Sequence, residues 1–290
     1  MTSPISQRVL LCADDYALNA GVSEGIVALA RAQRLSATSA MVLSPRWQSD
    51  AAALRELRGR LDVGVHLDWT SDFAQHAGHG LSLASLMWRS VRGALPAATV
   101  RTVLERQLDA FEQHWHAVPD HVDGHQHVQQ FDGLREVLTE VLQRRYGGLA
   151  QRPWLRISRV AQSDLKSRVI TWMGASALTQ WAQQQNWPVA SPLLGAYGFD
   201  ADAAAYGRRM QAWLQQLAHC AEAAQPTITQ PPIIMCHPAL RAHADDAIGN
   251  ARVQEYSYLM SAEFPWHCQR LGVQLCRGSQ PPHNATAPLG

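Results

Sequence analysis

Short apolar runs alternate along this chain with longer segments in which apolar residues recur every three or four positions. The runs predict strands at Arg8–Ala13, Ala37–Leu43, Asp62–Leu67, His121–His125, Leu155–Ser158, Ile233–Cys236 and Val273–Cys276, with Trp187–Ala190 as a weaker eighth. Between them lie helical patterns. Val22, Ile26 and Leu29 form one apolar stripe behind Asn19, a candidate N-cap. Leu104, Leu108, Phe111 and Trp115 form another, and Phe131, Leu134, Leu138 and Val141 a third that runs to Gly147-Gly148. This rhythm of β and α segments predicts a mainly parallel sheet, open or closed into a barrel. The connections Asp68–Leu95 and Ser191–Gln230 are long, and the second carries a helical pattern near Met210–Cys220. Long insertions of this kind shape access to a site at the strand ends. Residues 1–277 are expected to form one domain, and 278–290, with Pro281-Pro282 and few apolar positions, a disordered tail.

Composition adds exclusions rather than chemistry. With 290 residues and 47% hydrophobic content the chain can bury a large core. A net charge of +1 gives no case for a nucleic-acid partner or an anionic membrane surface. Its five cysteines lack CxxC spacing, which argues against a disulfide framework and against a cysteine zinc cage. No stretch is long and apolar enough to span a membrane, and Met1–Ser6 does not read as a secretion signal. A cytoplasmic protein is expected, with a homodimer left open.

The chemistry sits where strands end. Leu10-Leu11-Cys12-Ala13 runs into Asp14-Asp15, Asp62–Leu67 carries His66, His121–His127 carries Asp123, His125 and His127, and Ile233–Cys236 is followed by His237 and Pro238. Each piece has an ordinary explanation as a turn former, helix cap or hydrogen-bonded histidine. A barrel, however, would bring all four ends to one rim, where two imidazoles and a carboxylate meet the needs of a catalytic metal site. Such a donor set favours Zn²⁺ over Mg²⁺, without excluding Mg²⁺. In a regular strand Asp14 and Asp15 point apart, so one could bind metal while the other serves as base. If 121–127 is extended, His121, Asp123, His125 and His127 share a face, and only one of His125 and His127 need be a ligand. Gly64 would admit a close neighbour, and Trp69 should stand at the rim.

Taken together, Ala13-Asp14-Asp15, Gly64-Val65-His66-Leu67, His121-Val122-Asp123-Gly124-His125-Gln126-His127-Val128, Leu155-Arg156 and Met235-Cys236-His237-Pro238-Ala239 resemble the YdjC-like (ChbG/HpnK) carbohydrate deacetylases. The resemblance implies a TIM-barrel-like β/α fold, with seven or eight strands and long insertions at the rim. It implies metal-dependent removal of an acetyl group from an N-acetylated saccharide or glycolipid. It makes Asp15, His66 and His125 ligands of one divalent ion, Asp14 the base and His237 the acid. Arg156, His127, Asp123 and Trp69 would touch substrate or orient the ligands. The chain departs from the family pattern at Tyr16-Ala17, where Phe-Gly is common, and at Gln126 and Gln129, where histidines are common. Because alanine resists positive φ, a different turn is expected after the aspartates. Two rival readings are a two-metal phosphoesterase on a similar barrel and a sugar-binding relative without turnover.

Overall fold

The structure, a computed structural model, describes residues 7–159, 174–200, 202–220 and 230–280. The elements in chain order are β1 (Gln7–Tyr16), α1 (Ala20–Arg31), β2 (Ala37–Ala40), α2 (Trp47–Arg55), β3 (Asp62–Leu67), α3 (Asp72–His76), α4 (Leu83–Val91), α5 (Ala97–Trp115) and β4 (His121–Gly124). They continue with α6 (Leu134–Tyr146), β5 (Trp154–Arg156), α7 (Ala175–Gln184), β6 (Val189–Ala190), β7 (Leu193–Leu194), α8 (Ala203–Cys220), β8 (Ile233–Cys236), α9 (Gly249–Met260), α10 (Glu263–Arg270) and β9 (Val273–Leu275).

Strands β1 to β8 form a parallel, nearly closed barrel in the order β6-β5-β4-β3-β2-β1-β8-β7. Strands β6 and β7 are two halves of one extended segment separated by Ser191 and Pro192. The first half pairs with β5 and the second with β8, and this bridges the gap in the ring. The expected eighth strand therefore exists but is shorter than Trp187–Ala190, and β7 lies in the connection expected to hold only a helix. Strand β9 pairs outside the ring with the start of β1, Gln7 opposite Val273.

Most of the expected strands are buried on both faces, as parallel strands flanked by helices must be, and for that reason they read as apolar runs. Inward residues fill the barrel with their own small core of Leu10, Cys12, Ala37, Trp154, Ala190, Leu193, Ile233 and Met235. Outward residues meet the helices. Asn19 caps α1, accepting from the Val22 N–H at 3.0 Å, and Val22, Ile26 and Leu29 are fully buried. Leu104, Leu108, Phe111 and Trp115 seat α5 in the same way. Each such side chain contributes about 1.5–3 kcal/mol relative to exposure.

Several expected boundaries shift. The strand expected over Arg8–Ala13 runs Gln7–Tyr16, that expected over Val273–Cys276 ends at Leu275, that expected to reach Leu43 stops at Ala40, that expected over Leu155–Ser158 runs Trp154–Arg156, and that expected to reach His125 stops at Gly124. The first and the last of these shifts matter for the site. Gly278 and Ser279, at the start of the expected tail, are held at the barrel floor, where the Ser279 N–H donates to Asp62 Oδ2 at 2.9 Å. Residues 281–290 lie outside the described residues.

Candidate active site

The C-terminal end of β1 is not regular. Ala13 is opposite Thr38 and Tyr16 opposite Ala40, so β1 carries one extra residue there, and Asp15 takes φ +67. The bulge breaks the two-residue alternation and turns both Asp14 and Asp15 towards the centre. The expectation of a different turn at Ala17 is overturned. Ala17 itself adopts φ +72, held by Ser44 Oγ donating to its carbonyl at 2.7 Å, and accepts the strain that glycine would avoid.

The histidine-rich segment also departs from expectation. After Gly124 the chain turns into a 3₁₀ segment, His125–Gln130, with Gln126 and His127 in left-handed backbone at φ +54 and +63. His121, Asp123, His125 and His127 therefore do not share a strand face. His121 and Asp123 point into the barrel, while the turn delivers His125 to the rim. His127 Nδ1 lies 3.0 Å from Ser158 Oγ. Gln129 donates to the Arg156 carbonyl at 3.1 Å and to Ser158 Oγ at 3.2 Å.

One cluster of donors emerges. Asp15 Oδ1 lies 3.2 Å from His125 Nδ1 and 3.4 Å from His66 Nε2. The other ring nitrogen of His66, Nδ1, is 2.6 Å from Asp123 Oδ1, which fixes the ring and turns Nε2 towards Asp15. Asp123 Oδ2 accepts from Ser39 Oγ at 2.5 Å and pairs with Arg156 Nη2 at 2.8 Å. Arg156 also holds Asp14, Nη1 to Oδ1 at 2.8 Å and Nη2 to Oδ2 at 2.9 Å. His237 Nε2 stands 3.9 Å from Asp14 Oδ2, and its Nδ1 has no hydrogen-bond partner among the described residues.

Two residues of α9 complete the arrangement and were not anticipated. Arg252 donates to Asp15 Oδ2 at 2.7 Å and through Nε to Asp246 at 2.7 Å. Glu255 accepts from the His237 backbone N–H at 2.5 Å and from the Tyr197 hydroxyl at 2.7 Å. The available signal was a pair of charged residues three apart on a helix facing the Cys236-His237-Pro238 strand end.

The electrostatics follow from these contacts. Burial alone would raise the Asp15 carboxyl, but Arg252 and hydrogen bonds from His125 and His66 hold it well below the usual carboxylate range. Burial opposes a charge on His66, yet Asp123 outweighs it and lifts the imidazole to about 10. The cradle thus stabilises positive charge at the point where His66 Nε2 faces Asp15. His237 is pushed down to about 4 by burial, despite Asp14 and Asp15 nearby.

Among the described residues, three groupings of donors are close enough to hold a cation. In Asp14, His66 and Asp123, the Arg156 guanidinium already occupies the space between the carboxylates. In Cys12, His121 and Asp123, burial pushes the thiol up, so it stays protonated. Asp15, His66 and His125 fit best. Their carboxylate is ionised, His66 is oriented from behind, and His125, at the barrel mouth, is partly exposed. Trp69 is not part of this assembly. It is 4% exposed, in the core with its ring against the edge of His79, and leaves little face for a ligand.

The model of the YdjC-like protein family matches residues 8–270. Over 181 residues the chain is 30% identical to the chitooligosaccharide deacetylase of Enterobacter sp. (strain 638), a match covering 60% of this chain and 69% of that protein. It is 30% identical over 148 residues to the carbohydrate deacetylase of Mus musculus, covering 47% of each. It therefore spans about half the length of the mouse protein. Among solved structures, a protein of Enterococcus faecalis named for cellobiose-phosphate cleavage superposes with a TM-score of 0.67 at 18% identity, over 94% of this chain and 97% of that one. An uncharacterized Agrobacterium tumefaciens protein superposes at 0.53 and 12% identity, over 96% and 90%. These two share the fold.

Proposed function

This chain belongs to the YdjC-like family, and from that premise we propose that it is a metal-dependent N-deacetylase of an N-acetylated saccharide or glycolipid. The observation that carries the reading is the division of labour between the paired aspartates. Asp15 stands with His66 and His125, whereas Asp14, held by Arg156, is left outside that donor set and faces His237. A binding protein has no use for such a carboxylate beside the cation.

Asp15, His66 and His125 would hold one divalent ion, for which two imidazoles and one carboxylate favour Zn²⁺ over Mg²⁺. When bound, that ion supplies Lewis-acid polarisation of the acetamide carbonyl and acidifies water. Asp14 accepts the proton of the attacking water, its carboxylate aimed by Arg156. His237 is neutral at pH 7 and so acts as acid only after receiving a proton, with Asp14 at 3.9 Å as the nearest source. It then protonates the departing amine, and acetate and the free amine leave. A two-metal phosphoesterase is disfavoured because Arg156 sits where a second cation would need Asp14 and Asp123.

Among the described residues no helix is long and apolar enough to cross a membrane. Cys12, Cys236, Cys268 and Cys276 are free thiols, which supports a reducing, cytoplasmic setting.

The test is acetate release from N-acetylated saccharides by protein loaded with Zn²⁺, Co²⁺ or Mg²⁺. Asp14→Asn should abolish turnover and keep the metal, while Asp15→Asn should lose the metal. Equal loss of metal from both would overturn the division of roles. Full metal and activity in His66→Ala and His125→Ala would place the site elsewhere.

A further inference from the structure

The long connection after β7 does something that the chemistry above leaves unused. Gly195 takes φ +100 directly over β8, where a Cβ would stand 2.1 Å from the Met235 carbonyl oxygen. Only glycine can turn the chain there. The segment is then pinned on several sides. Tyr197 donates its hydroxyl to Glu255 at 2.7 Å and lies under the Arg209 guanidinium at 5.0 Å. Asp200 pairs with Arg209 at 3.1 Å, and the Ala203 N–H donates to Gln254 of α9 at 3.1 Å.

Within this anchored loop Phe199 is held at φ +58, an uncommon conformation for a bulky residue and one that marks stored strain. Its ring meets that of His237 edge to face, centroids 5.2 Å apart at 82°, and rests on Tyr197 at 4.8 Å. Core packing does not require this placement. Tyr206 and Trp213 already cover Tyr197 from behind, and Phe199 remains only half-buried at the barrel mouth.

We propose that Phe199 is a specificity-determining residue: its ring is the apolar platform on which the pyranose ring of a 2-acetamido sugar rests while its amide nitrogen is presented to His237. The inference depends on the deacetylase reading. The nitrogen that His237 protonates is bonded directly to a ring carbon, so a sugar placed within hydrogen-bond reach of His237 brings its ring alongside Phe199. The C–H face of that ring is apolar and matches an aromatic face. Selection is thereby for cyclic amides over acyclic ones, by contact energy rather than by added polar groups.

The experiment measures steady-state deacetylation of di-N-acetylchitobiose by metal-loaded wild type, Phe199→Ala, Phe199→Leu and Phe199→Trp. Calorimetric binding of the same sugar to Asp14→Asn, with and without Phe199→Ala, accompanies it. Loss of one stacking contact should raise KM and Kd about 3- to 10-fold in the alanine and leucine variants, with kcat held within about twofold. Tryptophan should restore both. Unchanged KM and Kd in a wild-type background that turns over would overturn the platform alone. A fall in kcat with KM unchanged would do so too, making Phe199 a support for His237. Absence of turnover in wild type and of binding to Asp14→Asn, with this sugar and with the whole set of N-acetylated saccharides and glycolipids offered in the acetate-release test, would overturn the deacetylase reading, and the platform with it.

Discussion

Arg156 grips Asp14 through two near-parallel hydrogen bonds of 2.8 and 2.9 Å, and with the same guanidinium it reaches Asp123, the partner of His66. One fully buried cation therefore sets the direction of the proposed base and the tilt of a proposed metal ligand. Lysine cannot reproduce a planar, two-pronged contact of this kind. Arg156→Lys should keep metal content and lower kcat/KM by at least about tenfold. Arg156→Met should cost about 3–5 kcal/mol in urea unfolding, since it strands two buried carboxylates. A methionine variant as stable as wild type would mean that Asp14 and Asp123 are relieved in another way.

Arg252 acts on the opposite side of the site. By binding Asp15 Oδ2 it leaves Oδ1 facing His66 and His125, and it holds the carboxyl ionised. Arg252→Gln should weaken Zn²⁺ binding about 10- to 100-fold in a chelator competition, the usual cost of losing a group that orients a ligand. Glu255→Gln, on the same helix but in contact with His237 and Tyr197, should leave Zn²⁺ affinity near wild type. Equal loss in both variants would point to a general disturbance of α9.

The contrast between these two arginines shows what the chain discloses on reading. Arg156 closes a strand whose apolar start is visible, and its place beside the aspartates follows from the barrel. Arg252 lies on a helix of mixed character, 237 residues from Asp15, and only packing joins them. The His121–His127 segment misled for a different reason. Alternation with period two holds only while the backbone is extended, and left-handed Gln126 and His127 end it. The same rule predicted opposite faces for Asp14 and Asp15, until a bulge that composition does not announce turned both inward. Repeating β and α segments, fully buried strands and the capped first helix were legible because each depends on local pattern. The bulge, the split strand at Val189–Leu194 and the α9 contacts were not, because each is decided by a distant neighbour.

At the barrel floor, burial and the proximity of Asp62 raise the Asp120 carboxyl to about 7. A carboxylic acid with a folded pKa above its unfolded value holds its proton longer in the folded state. Its contribution is fully present below about pH 4 and is lost as pH rises towards 7. An asparagine side chain at this position would imitate the protonated form, while its carbonyl could still accept from the Val63 N–H, which lies 2.8 Å from Asp120 Oδ2. Asp120→Asn should therefore match wild type near pH 4 and exceed it by a margin that grows as pH rises to 8, read from urea midpoints. A gain independent of pH would show that the titration of Asp120 is not its source.

Gly64 tests the coupling between the barrel interior and the proposed metal ligands. A Cβ at this position would stand 2.4 Å from the His121 imidazole, which is stacked on Trp154 at 4.1 Å and 15°. That indole is tied to Asp62 at 3.0 Å, so the stack has little room to retreat. On its other side His121 Nε2 lies 3.0 Å from Ser39 Oγ, which donates to Asp123, the partner of His66. Gly64→Ala should destabilise the fold by about 3 kcal/mol through overpacking, and weaken Zn²⁺ binding as displacement of His121 reaches His66. Since the added methyl competes for the space of that ring, Gly64→Ala in a His121→Ala background should cost far less than it does alone. If the two costs simply add in urea unfolding, His121 is not what reserves position 64 for glycine.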